Sequence, residues 1–158
     1  MDAQCPTPQR PFGFLFPLKD TMSPDSPPVP RTWQPVDLGA GMPAPAGAYS
    51  PAVRAGQFVF VSGQIPKDPR TGELVGQNVG DQIRQVLTNV ESVLKAAGAR
   101  LSDVVSVTVY LVDEDDWGTF NDIYKTVFQP PYPARAVVGA HLRGGVLVEV
   151  SAVAMLAA

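Results

Sequence analysis

Two charged residues stand out in the segment PYPARAVVGAHLRGGVLVEVSAVA, which covers residues 131–154. Arg135 follows a Pro-Ala dipeptide at the start of a strand-like run, and Glu149 lies between two valines. Because proline restricts the chain, the guanidinium is presented in a fixed place, where it could hold a carboxylate through two hydrogen bonds. A carboxylate in an apolar strand is rarely buried alone. Each residue therefore either has a structural ionic partner or lines a cleft that binds an acid and handles protons.

Three further polar residues are candidates for the same cleft. Ser62 stands beside Gly63 at the end of an alternating strand, where backbone amides become accessible, and Tyr49 lies in the loop before that strand. Asn121 falls among aromatic residues in a helical segment, where a buried amide needs a hydrogen-bond partner. The only histidine, His141, lies close to the Gly-Gly turn, and we expect it to be exposed rather than catalytic.

Composition excludes several classes of function. The net charge is −3 without a basic stripe, so no nucleic-acid partner is expected. A single cysteine and a single histidine cannot form a zinc site, and Cys5 cannot form an intrachain disulfide, which favours a reducing, cytoplasmic compartment. No apolar run approaches the roughly 20 residues that span a bilayer, and no signal peptide is recognisable, so no membrane association is expected.

The chain divides into two parts by proline content. Residues 1–30 contain eight of the 17 prolines, which predicts a Pro-rich, disordered extension. The alternative is that the apolar FGFLF of this segment docks on a neighbouring surface. Residues 31–158 form the predicted folded domain.

Periodicity predicts the element order β-β-α-β-α-β-β in that domain. Strands are expected at RTWQPV, at residues 56–65 and 103–112, and in the two halves of the C-terminal segment; residues 38–53 are expected to form a loop. Apolar residues recur at helical spacing between residues 83 and 97 and between residues 117 and 128. The pattern favours an α+β fold, with a mixed sheet and two helices on one face.

Two geometric expectations follow from this order. Two helices cover one sheet face, so the other apolar face is expected to be buried against another copy of the chain; the residues assigned to it are Val104, Val146, Val148, Val150 and Ala152. A C-terminal hairpin turning at Gly144 would place Glu149 opposite Val138, about 10 Å from Arg135. A small acid would fit between the two charges.

Several segments together resemble the RidA (YjgF) family: AYSPAV, FVFVSGQIP, QIRQVLTNVESVLKAAGA, DVVSVTVYLVD, FNDIY, YPARAVV and VEVSAVA. The resemblance covers roughly residues 33–155. It implies a chorismate-mutase-like fold, a homotrimer with sites in the clefts between subunits, and hydrolysis of reactive enamines and imines such as 2-aminoacrylate and 2-iminobutanoate. It implies neither a metal nor a cofactor.

The resemblance also implies roles for the candidate residues. Arg135 is similar to the family's substrate-carboxylate arginine and Glu149 to its water-positioning carboxylate, while Tyr49, Ser62 and Asn121 match the other cleft positions. The chain departs from the common family pattern at Ala48, Pro51 and Ala136. These departures leave open a specialised deaminase with another imine substrate. A module that binds keto or amino acids without turnover is a second alternative, and the acidic charge disfavours a third, ribonuclease activity.

Overall fold

A computed structural model describes residues 31–39 and 47–157. The predicted extension at residues 1–30 lies outside these ranges and stays a prediction. The strands are β1 (Gln34–Pro35), β2 (Ala52–Ala55), β3 (Phe58–Gln64), β4 (Val104–Leu111), β5 (Ala134–Gly139) and β6 (Val148–Met155), and the helices are α1 (Val79–Ala96) and α2 (Trp117–Val127). None of the helices in the described part of the chain has the length and apolarity needed to cross a membrane.

All six strands belong to one mixed sheet in the order β1-β2-β3-β6-β4-β5. Only β4 and β5 run parallel, and every other neighbouring pair is antiparallel. The two helices pack against each other and bury their apolar residues in one core with the sheet. The predicted α+β fold, with its mixed sheet and two helices, is confirmed.

Local signals place the long helix α1 where periodicity predicted it. The side chain of Asn78 accepts a hydrogen bond from the amide of Asp81 and so caps the first turn. Gly98, just beyond the last turn, has φ +77°, a conformation that favours glycine at a helix end. The helix therefore begins and ends at signals that can be read from the sequence.

The two faces of the sheet differ in cover. Alternate residues of β4 and β6 are buried beneath the helices, and we call this side the helix face; its members include Val104, Val107, Val109, Val148, Val150 and Ala152. The intervening residues point to the other side, the open face. Large apolar side chains remain 42–47% exposed there: Phe58, Phe60, Val138 and Met155.

The assignment of residues to the uncovered side was therefore wrong. Val104, Val148, Val150 and Ala152 are buried on the helix face, and Val146, in the loop before β6, is also buried. The apolar side chains without cover are instead the aromatic pair Phe58 and Phe60 and their neighbours across the sheet. An apolar face without cover exists, but different residues form it.

Two local expectations also need correction. Ala52 and Val53, expected to be the end of a loop, belong to β2 (Ala52–Ala55), because pairing with β3 outweighs the turn-forming composition around them. The C-terminal hairpin does not form, because β4 lies between β5 and β6. Tyr110 of β4 pairs with Val138 of β5 on one side and with Glu149 of β6 on the other. Val138 and Glu149 therefore lie at the same level of the sheet, but β4 separates them.

Candidate active site

Arg135 lies on the helix face of the edge strand β5, against α2. Its Nη2 donates a hydrogen bond of 2.9 Å to Oδ1 of Asn121. Its guanidinium carbon is 4.6 Å from the ring centre of Tyr124 and 5.9 Å from that of Trp117, distances typical of cation–π contact. In the described residues, no carboxylate lies within salt-bridge distance of Arg135, which disfavours a structural ion pair. The guanidinium is held by an amide and by aromatic rings, and its charge is available to an anion.

A cavity of about 280 Å³ opens beside this guanidinium. We call it the Arg135 cavity, and its lining consists of Asn121, Tyr124, Lys125, Tyr132, Pro133 and Arg135. The lining contains two cationic side chains and no carboxylate. A small anion is therefore the ligand that its electrostatics favour.

Glu149 lies on the open face, in the half-buried row of β6. Its side chain passes directly over Gly63, where a Cβ would come within 2.8 Å of the Glu149 Cδ atom. Glycine at position 63 thus provides the space that the carboxylate occupies. Burial raises the pKa of Glu149 above its usual value of 4.5. A carboxyl group with a raised pKa is better suited to accept and return a proton than an ordinary carboxylate.

Ser62 and Tyr49 lie on the β3 side of the molecule. The Ser62 hydroxyl donates to the carbonyl oxygen of Ser50 at 2.7 Å, and its amide donates to the carbonyl oxygen of Pro51 at 3.0 Å. Tyr49, directly before Ser50, has 52% of its surface exposed. These bonds attach the Tyr49 segment to the strand that also carries Gly63, so Tyr49, Ser62 and Glu149 belong to one region.

The polar contacts of Gln82 position the start of β6. This buried side chain of α1 donates to the carbonyl oxygens of Gly76 and Gly145 and accepts from the amide of Leu147. Leu147 precedes Glu149 by two residues. Gln82 therefore fixes the loop from which the strand of Glu149 begins.

The five predicted site residues thus form two separate groups. Arg135 and Asn121 lie at the Arg135 cavity, whereas Glu149 is on the open face, two strands away. Arg135 lies directly across the sheet from Ala152, which is three residues beyond Glu149 on β6. The Cα atoms of Arg135 and Glu149 are therefore about 14 Å apart. One chain by itself does not bring the arginine and the glutamate together.

Two residues outside the predicted set also contact Arg135. Trp117 and Tyr124 flank Arg135, but the sequence presented them as members of the apolar face of α2. Their spacing from Asn121, four residues before and three after, could have indicated that all three share one helical face. His141 is exposed in the loop after β5, as predicted.

Comparison with known proteins identifies the family. The family described as endoribonuclease L-PSP matches residues 40–156. The chain belongs to this family, and the RidA resemblance of its motifs is confirmed.

Relatives and a solved structure agree with this assignment. The chain is 49% identical over 113 residues to a RutC family protein of Pyrococcus horikoshii, covering 71% of this chain and 90% of the relative. It is 46% identical over 114 residues to a Rattus norvegicus protein named 2-iminobutanoate/2-iminopropanoate deaminase, covering 72% and 83%. The crystal structure of E. coli TdcF with bound serine superimposes with a TM-score of 0.72 at 36% identity, covering 78% of this chain and 99% of that one.

Proposed function

We propose that this protein hydrolyses small 2-imino acids and their enamine tautomers, of the 2-aminoacrylate and 2-iminobutanoate type, to 2-keto acids and ammonia. The rat relative carries the name of this activity. The proposal rests on one observation. An arginine suited to bind an anion lies on one face of the sheet, and a carboxyl group suited to transfer protons lies on the other face.

The site is complete only if two copies of the chain meet. The open face exposes apolar side chains around Glu149, which favours its burial against a second copy. In a closed homotrimer, every copy would place its Arg135 beside the Glu149 of a neighbour. Each cleft would then combine Arg135 and Asn121 of one subunit with Glu149, Ser62 and Tyr49 of the next.

The reaction uses few groups. Arg135 holds the substrate carboxylate and so orients the C=N carbon. Water adds to that carbon while Glu149 accepts a proton from the water and delivers it to the nitrogen. In the resulting carbinolamine, the C–N bond breaks as the hydroxyl proton passes to the departing nitrogen. The products are the keto acid and ammonia, and no metal or cofactor enters the balance. We place the reaction in the cytoplasm, with no nucleic-acid or membrane partner.

A second candidate is a module that binds small amino or keto acids without turnover. TdcF, a relative with the same fold, was crystallised with bound serine, which favours this alternative.

A third candidate is a specialised deaminase with another imine substrate. Of the departures from the family pattern, Ala136 lies on the open face, and Pro51 supplies the carbonyl that accepts from the Ser62 amide. Both lie on the Glu149 side of the proposed cleft.

Complementation between two inactive variants tests the function and the shared cleft together. Arg135→Ala and Glu149→Ala are each expected to lose release of ammonia and keto acid from enzymatically generated 2-aminoacrylate. After subunit exchange in a 1:1 mixture, about a quarter of the clefts should combine an intact Arg135 with an intact Glu149, and activity should return. Refolding each variant alone is the control. If the wild type releases no ammonia and keto acid, the proposed deaminase activity is contradicted. If the wild type is active but the mixture of variants does not recover activity, the shared cleft is contradicted.

A further inference from the structure

The hydroxyl group of Tyr124 is a buried polar atom without a hydrogen-bond partner among the described residues. Tyr124 as a whole is only 3% exposed. An unsatisfied buried hydroxyl is destabilising, and a group of this kind in a native protein calls for a partner or a functional reason. The position of the hydroxyl therefore points to a ligand.

The Tyr124 ring is fixed on several sides. It stacks on Phe128 with ring centres 4.4 Å apart and lies 5.6 Å from the ring of Phe120. The guanidinium of Arg135 lies 4.6 Å from its ring centre. The hydroxyl cannot be moved to another partner without displacing these contacts, so its partner has to come to it.

The Arg135 cavity, which Tyr124 also lines, is the place from which a partner would arrive. Arg135 makes the cavity positive, Lys125 adds a second cation that pairs with the exposed Asp122 at 3.4 Å, and no carboxylate lines the cavity. Burial raises the pKa of the Tyr124 hydroxyl, an effect that outweighs the opposing influence of Arg135. The hydroxyl therefore keeps its proton at neutral pH and acts as a donor. A donor beside a cation favours an anionic acceptor.

We propose that Tyr124 donates a hydrogen bond to the carboxylate of the small acid that Arg135 binds. This inference rests on the proposed role of the Arg135 cavity and adds a substrate contact to it. Asn121 already accepts from one nitrogen of Arg135, so that amide orients the guanidinium while Tyr124, which also lines the cavity, adds a donor. Recognition of the carboxylate then depends on three side chains of one subunit.

Tyr124→Phe tests the contact because it removes one oxygen atom and keeps the ring. The probe is 2-oxobutanoate, a stable keto acid, and binding is measured by calorimetry on the intact oligomer. Hydrogen bonds to charged groups are strong, so the variant should bind about tenfold more weakly. The free variant should unfold at the same temperature as the wild type or higher, because the unsatisfied hydroxyl is gone. A structural role would lower the unfolding temperature instead.

Two controls sharpen the test. Thr88→Val removes an exposed hydroxyl from α1, outside the cavity, and should leave 2-oxobutanoate binding unchanged. The neutral analogue 2-oxobutanamide should lose the difference between Tyr124→Phe and wild type, because it offers no anion. Unchanged 2-oxobutanoate binding in Tyr124→Phe, or a lowered unfolding temperature, overturns the proposal. The wild type could bind 2-oxobutanoate with this dependence on Tyr124 and yet release no ammonia from imines. That result would support the Tyr124 contact and contradict the proposed deaminase activity.

Discussion

Arg135 and Glu149 of one chain lie on opposite faces of the same sheet. The guanidinium contacts α2 on the helix face, and the carboxylate lies over Gly63 on the open face. Strand β4 separates their strands. The two groups can share one substrate only if a second copy of the chain supplies one of them, so activity depends on assembly as well as on chemistry.

Arg135→Lys should weaken turnover of small imino acids about tenfold or more, although the charge is kept. Lysine lacks the planar group that donates through two bonds and stacks on Tyr124, and one charge-assisted bond is worth about 1.5–3 kcal/mol. Steady-state kinetics and 2-oxobutanoate binding measure the loss. Arg143→Lys, in an exposed loop, is the matched control and should be silent. Normal kinetics in Arg135→Lys would remove Arg135 from the site.

Phe60→Asp should dissociate the oligomer. Phe60 is 44% exposed at the centre of the open face, and an interface that buries it would have to desolvate an unpaired carboxylate in the variant. Sedimentation at micromolar concentration should give a trimer for wild type and a monomer for the variant. Thr88→Asp, on the exposed side of α1, adds the same charge and should leave the trimer intact. A wild-type monomer would leave the proposed cleft with only one wall.

Gly63→Ala should impair catalysis through Glu149. The added methyl group would overlap the Glu149 carboxylate and lie 2.8 Å from its Cδ atom, so the side chain must move out of its present position. We expect turnover to fall by about tenfold or more, since small displacements of catalytic groups are costly. Gly118→Ala is the control, because nothing lies within 4 Å of the place that its new methyl group would occupy. Wild-type turnover in Gly63→Ala would mean that the carboxylate position is not critical.

Deletion of residues 1–30 should leave trimer formation and turnover unchanged. The density of proline in this segment predicts no helix and no central strand. Sedimentation and imine hydrolysis of the shortened chain check this expectation. Loss of either property would instead support docking of the FGFLF segment.

Much of the fold could be predicted because local signals and tertiary structure agree. Helix α1 has an apolar stripe, an Asn cap and a terminal glycine, and β4 is rich in β-branched residues. The face of each strand was harder to predict. Strand pairing is decided by distant contacts: the Gly-Gly turn suggested a hairpin, but β4 inserts between the two strands and pairs in parallel with β5.

The candidate site was predictable in its residues but not in its arrangement. Arg135, Asn121 and Glu149 stand out because polar groups in apolar surroundings require a partner. Tyr124 does not stand out, since a tyrosine at helical spacing is typical of a core. Its unsatisfied hydroxyl becomes visible only when the structure shows what surrounds it.

Glu149→Gln should lower turnover more than it lowers binding. Glutamine keeps the shape of the side chain but cannot take a proton, and proton transfer by a positioned group contributes roughly a hundredfold or more. Binding of 2-oxobutanoate, which depends on the Arg135 cavity, should change little. Comparison of kcat with the dissociation constant separates the two effects, and equal losses in both would contradict a proton-handling role.

The same variant should change how stability depends on pH. Burial raises the folded-state pKa of Glu149 above the 4.5 of the ordinary carboxyl, so the folded wild type holds a proton that the unfolded chain has already released. Between these two pKa values, wild-type stability falls as the pH rises. Glutamine lacks this dependence, so the unfolding temperature of Glu149→Gln relative to wild type should rise from pH 4 to pH 8. A relative stability that falls with pH would show that the Arg135 of a neighbouring copy stabilises the Glu149 carboxylate more than burial destabilises it.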